Sequence, residues 1–274
     1  MPTFSIITVT RNAEKTLPRT LQSVAEQSFP DFEYIIIDGK STDKTIKIIT
    51  NYELRITKQR SAIANYETTF DGSQLRNNVR RQSITNKFRY ISEEDSGLYD
   101  AMNKGLKLAT GDYVCFLNAG DTFHSKDTLQ EIFNKLSIVN CQLSIIYGET
   151  DIVDETGIFI SHRHLKVPET LTWKSFRMGM LVSHQAFFVK REIAPMFNLQ
   201  YRYSSDFDWC IRCMKAAKNI LNTNLILINY LNEGITTANR TASLKERFKI
   251  MAHYYGWLPT ALRHLWFAVR FYFL

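Results

Sequence analysis

Short apolar runs alternate with segments of helical periodicity through the first half of the 274-residue chain. Phe4–Thr10 is a run of strand formers, and the following stretch, Ala13–Gln27, puts Leu17, Leu21 and Val24 at helical spacing. The alternation then predicts a strand over Phe32–Asp38, a helix over Asp43–Asn51, a strand over Phe88–Ser92 and a helix over Leu98–Leu108. A strand over Tyr113–Leu117 and a helix from Lys126 to about Leu136 complete the series. Strands separated by helices of this length build βαβ units and a parallel sheet covered on both faces. Ligands of such sheets sit at the carboxyl ends of the strands.

The second half is less regular. Ser144–Tyr147, Gly157–Ser161, Ala186–Lys190 and Leu225–Leu231 read as strands, and Asp206–Lys218 and Ala242–Tyr255 as helices. Residues 56–87 are polar with little periodicity, longer than an ordinary loop, and read as an insertion, a mobile loop or a concealed helix pair. Cys210 and Cys213 form a lone Cys-x-x-Cys with no second pair, so core packing is their default and zinc is not expected.

Composition adds compartment and charge. Four irregularly spaced cysteines do not make a disulfide scaffold, and the Met1–Thr3 opening runs into a strand with no leader pattern. A reducing, cytoplasmic setting is the expectation, with attachment to the inner face of the plasma membrane as an extension of it. The formal net charge is +7. The excess is local: Arg55, Lys58, Arg60, Arg76, Arg80, Arg81, Lys87 and Arg89 crowd one segment, and Arg240, Lys245, Arg247, Lys249, Arg263 and Arg270 another. Such segments meet nucleic acid, anionic membrane or phosphorylated substrates.

Leu258–Leu274 is almost wholly apolar, broken by Arg263, His264 and Arg270. With two arginines it makes a poor spanning helix, since a bilayer core needs about 20 apolar residues. It suits a membrane surface, its arginines reaching anionic lipid, or a docked helix on the core or on a second copy in a homodimer.

Three predicted strands stop at polar clusters: Thr10-Arg11-Asn12, then Asp38-Gly39-Lys40-Ser41-Thr42-Asp43, then Asn118-Ala119-Gly120-Asp121. Each alone is ordinary turn chemistry; three on one rim point to a ligand. Neither a Gly-x-Gly-x-x-Gly after a strand nor a Gly-x-x-x-x-Gly-Lys-Ser/Thr is present. A carboxylate gripping Mg²⁺ or Mn²⁺ is the alternative way to hold a diphosphate, and Asp121 suits it.

On these residues the chain resembles glycosyltransferase family 2, the inverting type with the GT-A nucleotide-sugar fold. The resemblance rests on Phe4–Asn12, Ile36–Thr45, Asp95-Ser96-Gly97-Leu98-Tyr99-Asp100-Ala101-Met102-Asn103-Lys104-Gly105, Ala109–Tyr113 and Phe116–Asp121, with Asp206-Phe207-Asp208 matching more weakly. It is nearest to the branch that builds bacterial surface polysaccharides. It implies a Rossmann-like, mostly parallel sheet flanked by helices in residues 1–235, with a nucleotide-binding half (1–125) and an acceptor half (126–235), and an amphipathic helical tail over 236–274. It further implies that Thr10, Arg11 and Asn12 line the nucleotide cleft, that Asp38 holds the uracil edge, that Asp95, Asn103 and Lys104 lie beside the base and diphosphate, and that Asp121 carries the metal. Two departures stand out: Gly120 precedes Asp121 where relatives often have a second acid, and Met102 stands where many have Arg.

An inverting transfer needs a carboxylate to take the acceptor hydroxyl's proton. Ser205 and Asp208 have capping-box spacing, which would spend Asp208 on backbone amides. Residues two apart on a helix point to opposite sides, so Asp206 is the base, in agreement with the family pattern. The helix N-terminus lowers its pKa and burial raises it, two opposed effects. His184 and Trp173 are acceptor-facing candidates or core residues, and Arg202 a further acceptor candidate. The expected activity moves a sugar from a UDP-sugar to a lipid-linked or oligosaccharide acceptor. A nucleotidyltransferase on a similar sheet, and a non-catalytic basic module binding nucleic acid or membrane, are the alternatives.

Overall fold

Two strands with no exposed residue set the frame: β1 (Phe4–Thr10) and β2 (Phe32–Asp38) are buried along their whole length. A computed structural model of the chain describes residues 1–67, 88–139, 141–232 and 239–273, the side chains of 57–67, 240, 268 and 270–273 excepted. Because strand side chains alternate faces, Ile7, Val9, Ile35 and Ile37 enter one core and Phe4, Ile6, Tyr34 and Ile36 the other. Helix α1 (Leu17–Ala25) closes the second core with Leu17, Leu21 and Val24, joined by Ile49 and Tyr52 of α2 (Thr45–Glu67). Helix α3 (Leu98–Leu108) closes the first with Met102 and Leu106.

Strands β3 (Phe88–Ser92) and β4 (Tyr113–Phe116) pair parallel with β2 and β1, so Thr10, Asp38 and Ser92 come level at one end of the sheet. The chain continues through the two-residue β5 (Thr122–Phe123), α4 (Thr128–Ile138), β6 (Ile145–Val153), β7 (Phe159–His162) and β8 (Phe187–Lys190). It ends in α5 (Ser205–Ala216), β9 (Ile220–Leu231), α6 (Arg240–Tyr255) and α7 (Trp257–Phe273). Strand order is β3-β2-β1-β4-β8-β6-β9-β5, with β7 beside β6. The first-half pairs are parallel, as is β6 with β9, whereas β4–β8, β6–β8, β6–β7 and β5–β9 are antiparallel. The fold is a mixed α/β sheet flanked by helices, with helices at its C-terminal end.

Several element bounds differ from expectation. Helix α2 runs on to Glu67, and β9 begins at Ile220 because it pairs with β6 from Ile145 onward. Of the polar interval 56–87, residues 68–87 lie outside the described residues, and with them Arg76, Arg80, Arg81 and Lys87. Arg89 is not a free surface charge: it pairs with buried Glu33 at 2.5 Å and donates to the Leu108 carbonyl. Cys210 and Cys213 are core residues.

Helix α7 corrects a second expectation about charge. Arg263 faces the body of the protein, its Nη1 3.0 Å from the Met178 sulfur, instead of reaching outward. The outward surface is apolar: Trp257, Leu258, Leu262, Leu265 and Val269 are each about half exposed or more. Among the described residues no helix is long and apolar enough to cross a membrane.

Candidate active site

The polar ends of β1 and β2 are knitted together before they meet any ligand. Asn12 adopts a left-handed φ of 51°, which lets its Oδ1 accept from the Thr42 N–H at 2.8 Å while its own N–H donates to Ser41 Oγ. Asp38 is fully buried. Its carboxylate accepts from the Ser41 N–H at 2.9 Å, from Ser92 Oγ at 2.7 Å and from the Ser41 hydroxyl. A Cβ on Gly39 would stand 2.2 Å from Asp95 Oδ2, so only glycine lets the Asp95 carboxylate pack against this turn.

Above this floor opens a cavity of about 910 Å³. Its walls include Thr10, Arg11, Asn12, Asp95, Asn118 and Asp121 from the parallel half. Arg163, His184, Gln185, Arg202, Asp206, Tyr230 and Arg247 come from the other half. The rim residues of two halves therefore face one hollow at the carboxyl ends of the parallel strands, where a ligand is expected.

Two carboxylates dominate its chemistry. Asp121 is 3% exposed and accepts from the Leu231 N–H at 3.0 Å and from Gln185 Nε2 at 2.9 Å. Burial pushes its pKa up to about 6, against the pull of those two hydrogen bonds and the charges of His184 and Arg19. The preceding Gly120 has φ 105°, and a Cβ there would meet Leu231 Cδ2 at 2.7 Å. A side chain at 120 would be strained by this φ and would have to displace the end of Leu231, which favours glycine over a second acid there.

Asp206 sits in the first turn of α5, its side chain 16% exposed. Tyr99 donates its hydroxyl to Oδ1 at 3.0 Å, and His184 Nδ1 lies 3.2 Å from Oδ2. Burial raises the carboxyl, but the hydrogen bond and charge of His184, the Arg247 charge and the Tyr99 hydrogen bond bring it below the usual carboxylate range. Asn118 Nδ2 lies 3.3 Å from His184 Nε2. His184 Nδ1–H donates to Asp206, and its Nε2 meets the Asn118 side-chain amide. Asn118 Oδ1 is left buried with no hydrogen-bond partner. One short turn, His184–Ala186, thus touches both acids, through His184 on Asp206 and Gln185 on Asp121.

The expected capping box is absent. Asp208 turns away from the cavity to Arg212 Nε at 2.7 Å and the Tyr254 hydroxyl at 2.8 Å. The amides before α5 go instead to Glu246 on α6, which accepts from the N–H groups of Arg202, Tyr203 and Ser204. Glu246 lies some forty residues away in sequence, so local spacing gives no hint of it.

Three residues expected at the site do other work. Asn103 is buried away from the cavity, its amide clamping both backbone polar groups of Phe197 at 2.7 and 3.0 Å. Lys104 pairs with Glu93 at 2.9 Å on the outer side of α3. Trp173 stacks on Tyr255 at 5.5 Å and lies outside the cavity lining. Asp38 too is beneath the lining, linked to it through Ser41 and Asn12. Tyr99, Arg163 and Glu246 were not expected. Tyr99 lies within the Asp95–Gly105 motif, but nothing in the sequence sets it apart from a core tyrosine.

A divalent ion implied by the resemblance can be tested on the donor set. Among the described residues no three His, Cys, Asp or Glu side chains converge. One buried carboxylate with an unpartnered amide oxygen nearby on the same wall fits a hard cation only if phosphate oxygens and water complete its shell.

Comparison with known proteins gives the family and the fold. The family model described as Glycosyl transferase family 2 matches residues 5–64 and 71–194. A PGL/p-HBAD biosynthesis glycosyltransferase of Mycobacterium bovis is 28% identical over 236 residues, 85% of this chain and 77% of that protein. The amylovoran biosynthesis glycosyltransferase AmsB of Erwinia amylovora is 29% identical over 237 residues, 83% and 69% of the two chains. Residues 1–349 of S. aureus TarS, solved with UDP-GlcNAc, share the fold with a TM-score of 0.66 at 19% identity. That likeness covers 95% of this chain, which spans 66% of the solved one. With the family model matching more than half of its sequence, the chain belongs to glycosyl transferase family 2 and is a glycosyltransferase.

Proposed function

We propose that the chain transfers a sugar, with inversion, from a UDP-sugar to a lipid-linked or oligosaccharide acceptor in surface polysaccharide biosynthesis. The observation that supports this reading is one cavity walled by both Asp121 and Asp206 and also lined by Thr10, Arg11, Asn12 and Asp95, the residues the resemblance gives to the nucleotide. Asp206 is the base. Its lowered pKa keeps it ionised at neutral pH, and Tyr99 and His184 fix the carboxylate so that a free lone pair meets the acceptor hydroxyl. The acceptor oxygen bonds to the anomeric carbon from one face while the bond to the diphosphate oxygen breaks on the other. The hydroxyl proton ends on Asp206 and UDP leaves.

Asp121 and Asn118 Oδ1 would hold Mg²⁺ or Mn²⁺ together with the donor's own phosphates. Such an ion, when bound, offsets charge on the departing diphosphate. Helix α7 would lie on the inner membrane surface, its apolar face toward lipid. Family membership argues against the nucleotidyltransferase and the non-catalytic module. The test is UDP release from a panel of UDP-sugars with and without Mn²⁺. Asp206→Asn is expected to lose about 10²- to 10⁴-fold in turnover, the usual share of a general base, with UDP binding retained. Wild-type turnover by that variant would remove Asp206 from the role.

A further inference from the structure

Strand pairing lays a row of cavity residues outward from Asp121. The Leu231 N–H of β9 donates to Asp121 at 3.0 Å, and the residue before it, Tyr230, lines the cavity. Tyr230 stands opposite Ile152 of β6, another wall residue, and Ile152 stands opposite Ser161 of β7. Arg163 follows two residues later, its N–H on the Thr150 carbonyl at 3.3 Å and its side chain again in the wall. From Tyr230 to Arg163 the row crosses two strand spacings, about 10 Å, which a hexopyranose with a substituent at C6 spans once the arginine reaches toward it. Tyr230 feels both acids: burial and the charges of Asp121 and Asp206 push its pKa up to about 12.

The far end of the row is cationic and unpaired. Arg163 donates Nη1 to the Leu181 carbonyl at 2.9 Å and Nη2 to the Met180 carbonyl, so only neutral oxygens hold it. Arg247, on α6, lies over the Phe207 ring at 5.9 Å, and its Nε is buried with no hydrogen-bond partner. Among the described residues neither forms a salt bridge. Burial, and then the charge of Arg247, pull the Arg163 pKa down to about 10 despite the charges of Glu149 and Asp206. Each oxygen of Asp206 already has a partner, in Tyr99 and in His184.

In an inverting transfer the anomeric carbon stands between the leaving diphosphate and the attacking hydroxyl. On the transfer reading that is between Asp121 and Asp206, so the donated ring lies across Tyr230 and Ile152 with C6 toward Arg163. A neutral sugar in this place would leave two desolvated like charges facing each other. A carboxylate would accept charge-assisted hydrogen bonds from both guanidinium forks.

We infer that Arg163 and Arg247 read a carboxylate at C6 of the donor, and that the donated sugar is a hexuronic acid. The inference rests on the transfer reading and adds to it the donor's chemical class and the residues that select it. Titration calorimetry on the full chain with Mn²⁺ compares UDP-glucuronic acid with UDP-glucose, and UDP-galacturonic acid with UDP-galactose, each pair differing only at C6. In at least one pair the acid is expected to bind about 10- to 100-fold more tightly, the range of one charge-assisted hydrogen bond. Arg247→Met keeps the packing over Phe207 and is expected to cut that preference at least about fivefold, with UDP affinity within about twofold of wild type.

Equal affinities within both wild-type pairs would overturn the inference and leave the arginines to the acceptor. An undiminished preference in Arg247→Met would also overturn it, as would a parallel loss of UDP affinity, which would give the pair to the diphosphate. The wild-type titrations decide the matter even if the variant does not fold. Failure of the wild type to bind UDP at all would strike the transfer reading instead, a separate result from equal affinities within the pairs.

Discussion

Replacing Glu33 by alanine should cost stability while leaving the chemistry alone. Glu33 is fully buried on β2, and its Oε1 accepts from Ser5 Oγ at 2.6 Å, the Thr110 N–H at 2.5 Å, Thr110 Oγ1 at 2.9 Å and the Gly111 N–H at 3.0 Å. Its Oε2 meets Arg89 at 2.5 Å. One carboxylate thus binds β1, β3 and the turn into β4, at the end of the sheet opposite the cavity. Gly111 keeps a second acceptor in Ser5 Oγ, and Arg89 is 39% exposed and can turn to water. The uncompensated losses are those of Ser5 Oγ and the Thr110 backbone, together about 3 kcal/mol at 1–3 kcal/mol for each orphaned group.

In a domain of this size that corresponds to a fall in Tm of about 6–12 °C, measured by differential scanning calorimetry. Acid provides a second reading. Burial raises the Glu33 pKa, but hydrogen bonds from Ser5 and Thr110 and the Arg89 charge more than offset this and lower it. A lowered native pKa contributes stability above the unfolded value, roughly 4 to 5, and that contribution disappears as pH falls through the native value. Wild type should therefore lose Tm on acidification below about pH 4.5, and Glu33→Ala should lose less over the same range. A variant with unchanged Tm, or one as acid-sensitive as wild type, would refute this account of the cluster.

Asp121→Ala should lose turnover and the Mn²⁺-dependent part of UDP binding, measured by calorimetry with and without metal; retention of that part would remove Asp121 as a ligand. Gly39→Ala forces a Cβ to within 2.2 Å of Asp95 Oδ2 and should weaken UDP binding with Tm less affected. An unchanged UDP affinity would show that Asp95 does not need its present place. Leu262→Glu with Leu265→Glu should abolish co-sedimentation with anionic lipid vesicles, whereas undiminished binding would assign membrane contact to another surface.

The parallel half of the fold was legible because each strand there is an apolar run stopped by a polar cluster. Thr10, Arg11, Asn12 and Asp121 reach the cavity for that reason. Asp206 was legible because helical geometry separates it from Asp208. Contacts between distant segments were not. Asn103 looks like a motif residue beside the diphosphate, but its amide is spent on Phe197, which stacks on Tyr99 and Trp209. The capping-box spacing of Ser205 and Asp208 misled because the Ser205 hydroxyl donates to the Asn198 carbonyl and the Asp208 carboxylate is held by Arg212 and Tyr254. Helical periodicity placed the arginines of α7 on one face without telling which face meets the protein, and Arg263 proves to face inward.

The grip of Glu246 on the start of α5 has a practical corollary. The last forty residues resemble a detachable anchor, the kind of segment trimmed away to ease purification. Yet α6 supplies the carboxylate that ties down the helix bearing Asp206, and Arg247 beside it forms part of the cavity wall. A protein shortened before Arg240 would surrender the footing of its own base, so any cut made for solubility belongs after Gly256, where α6 ends.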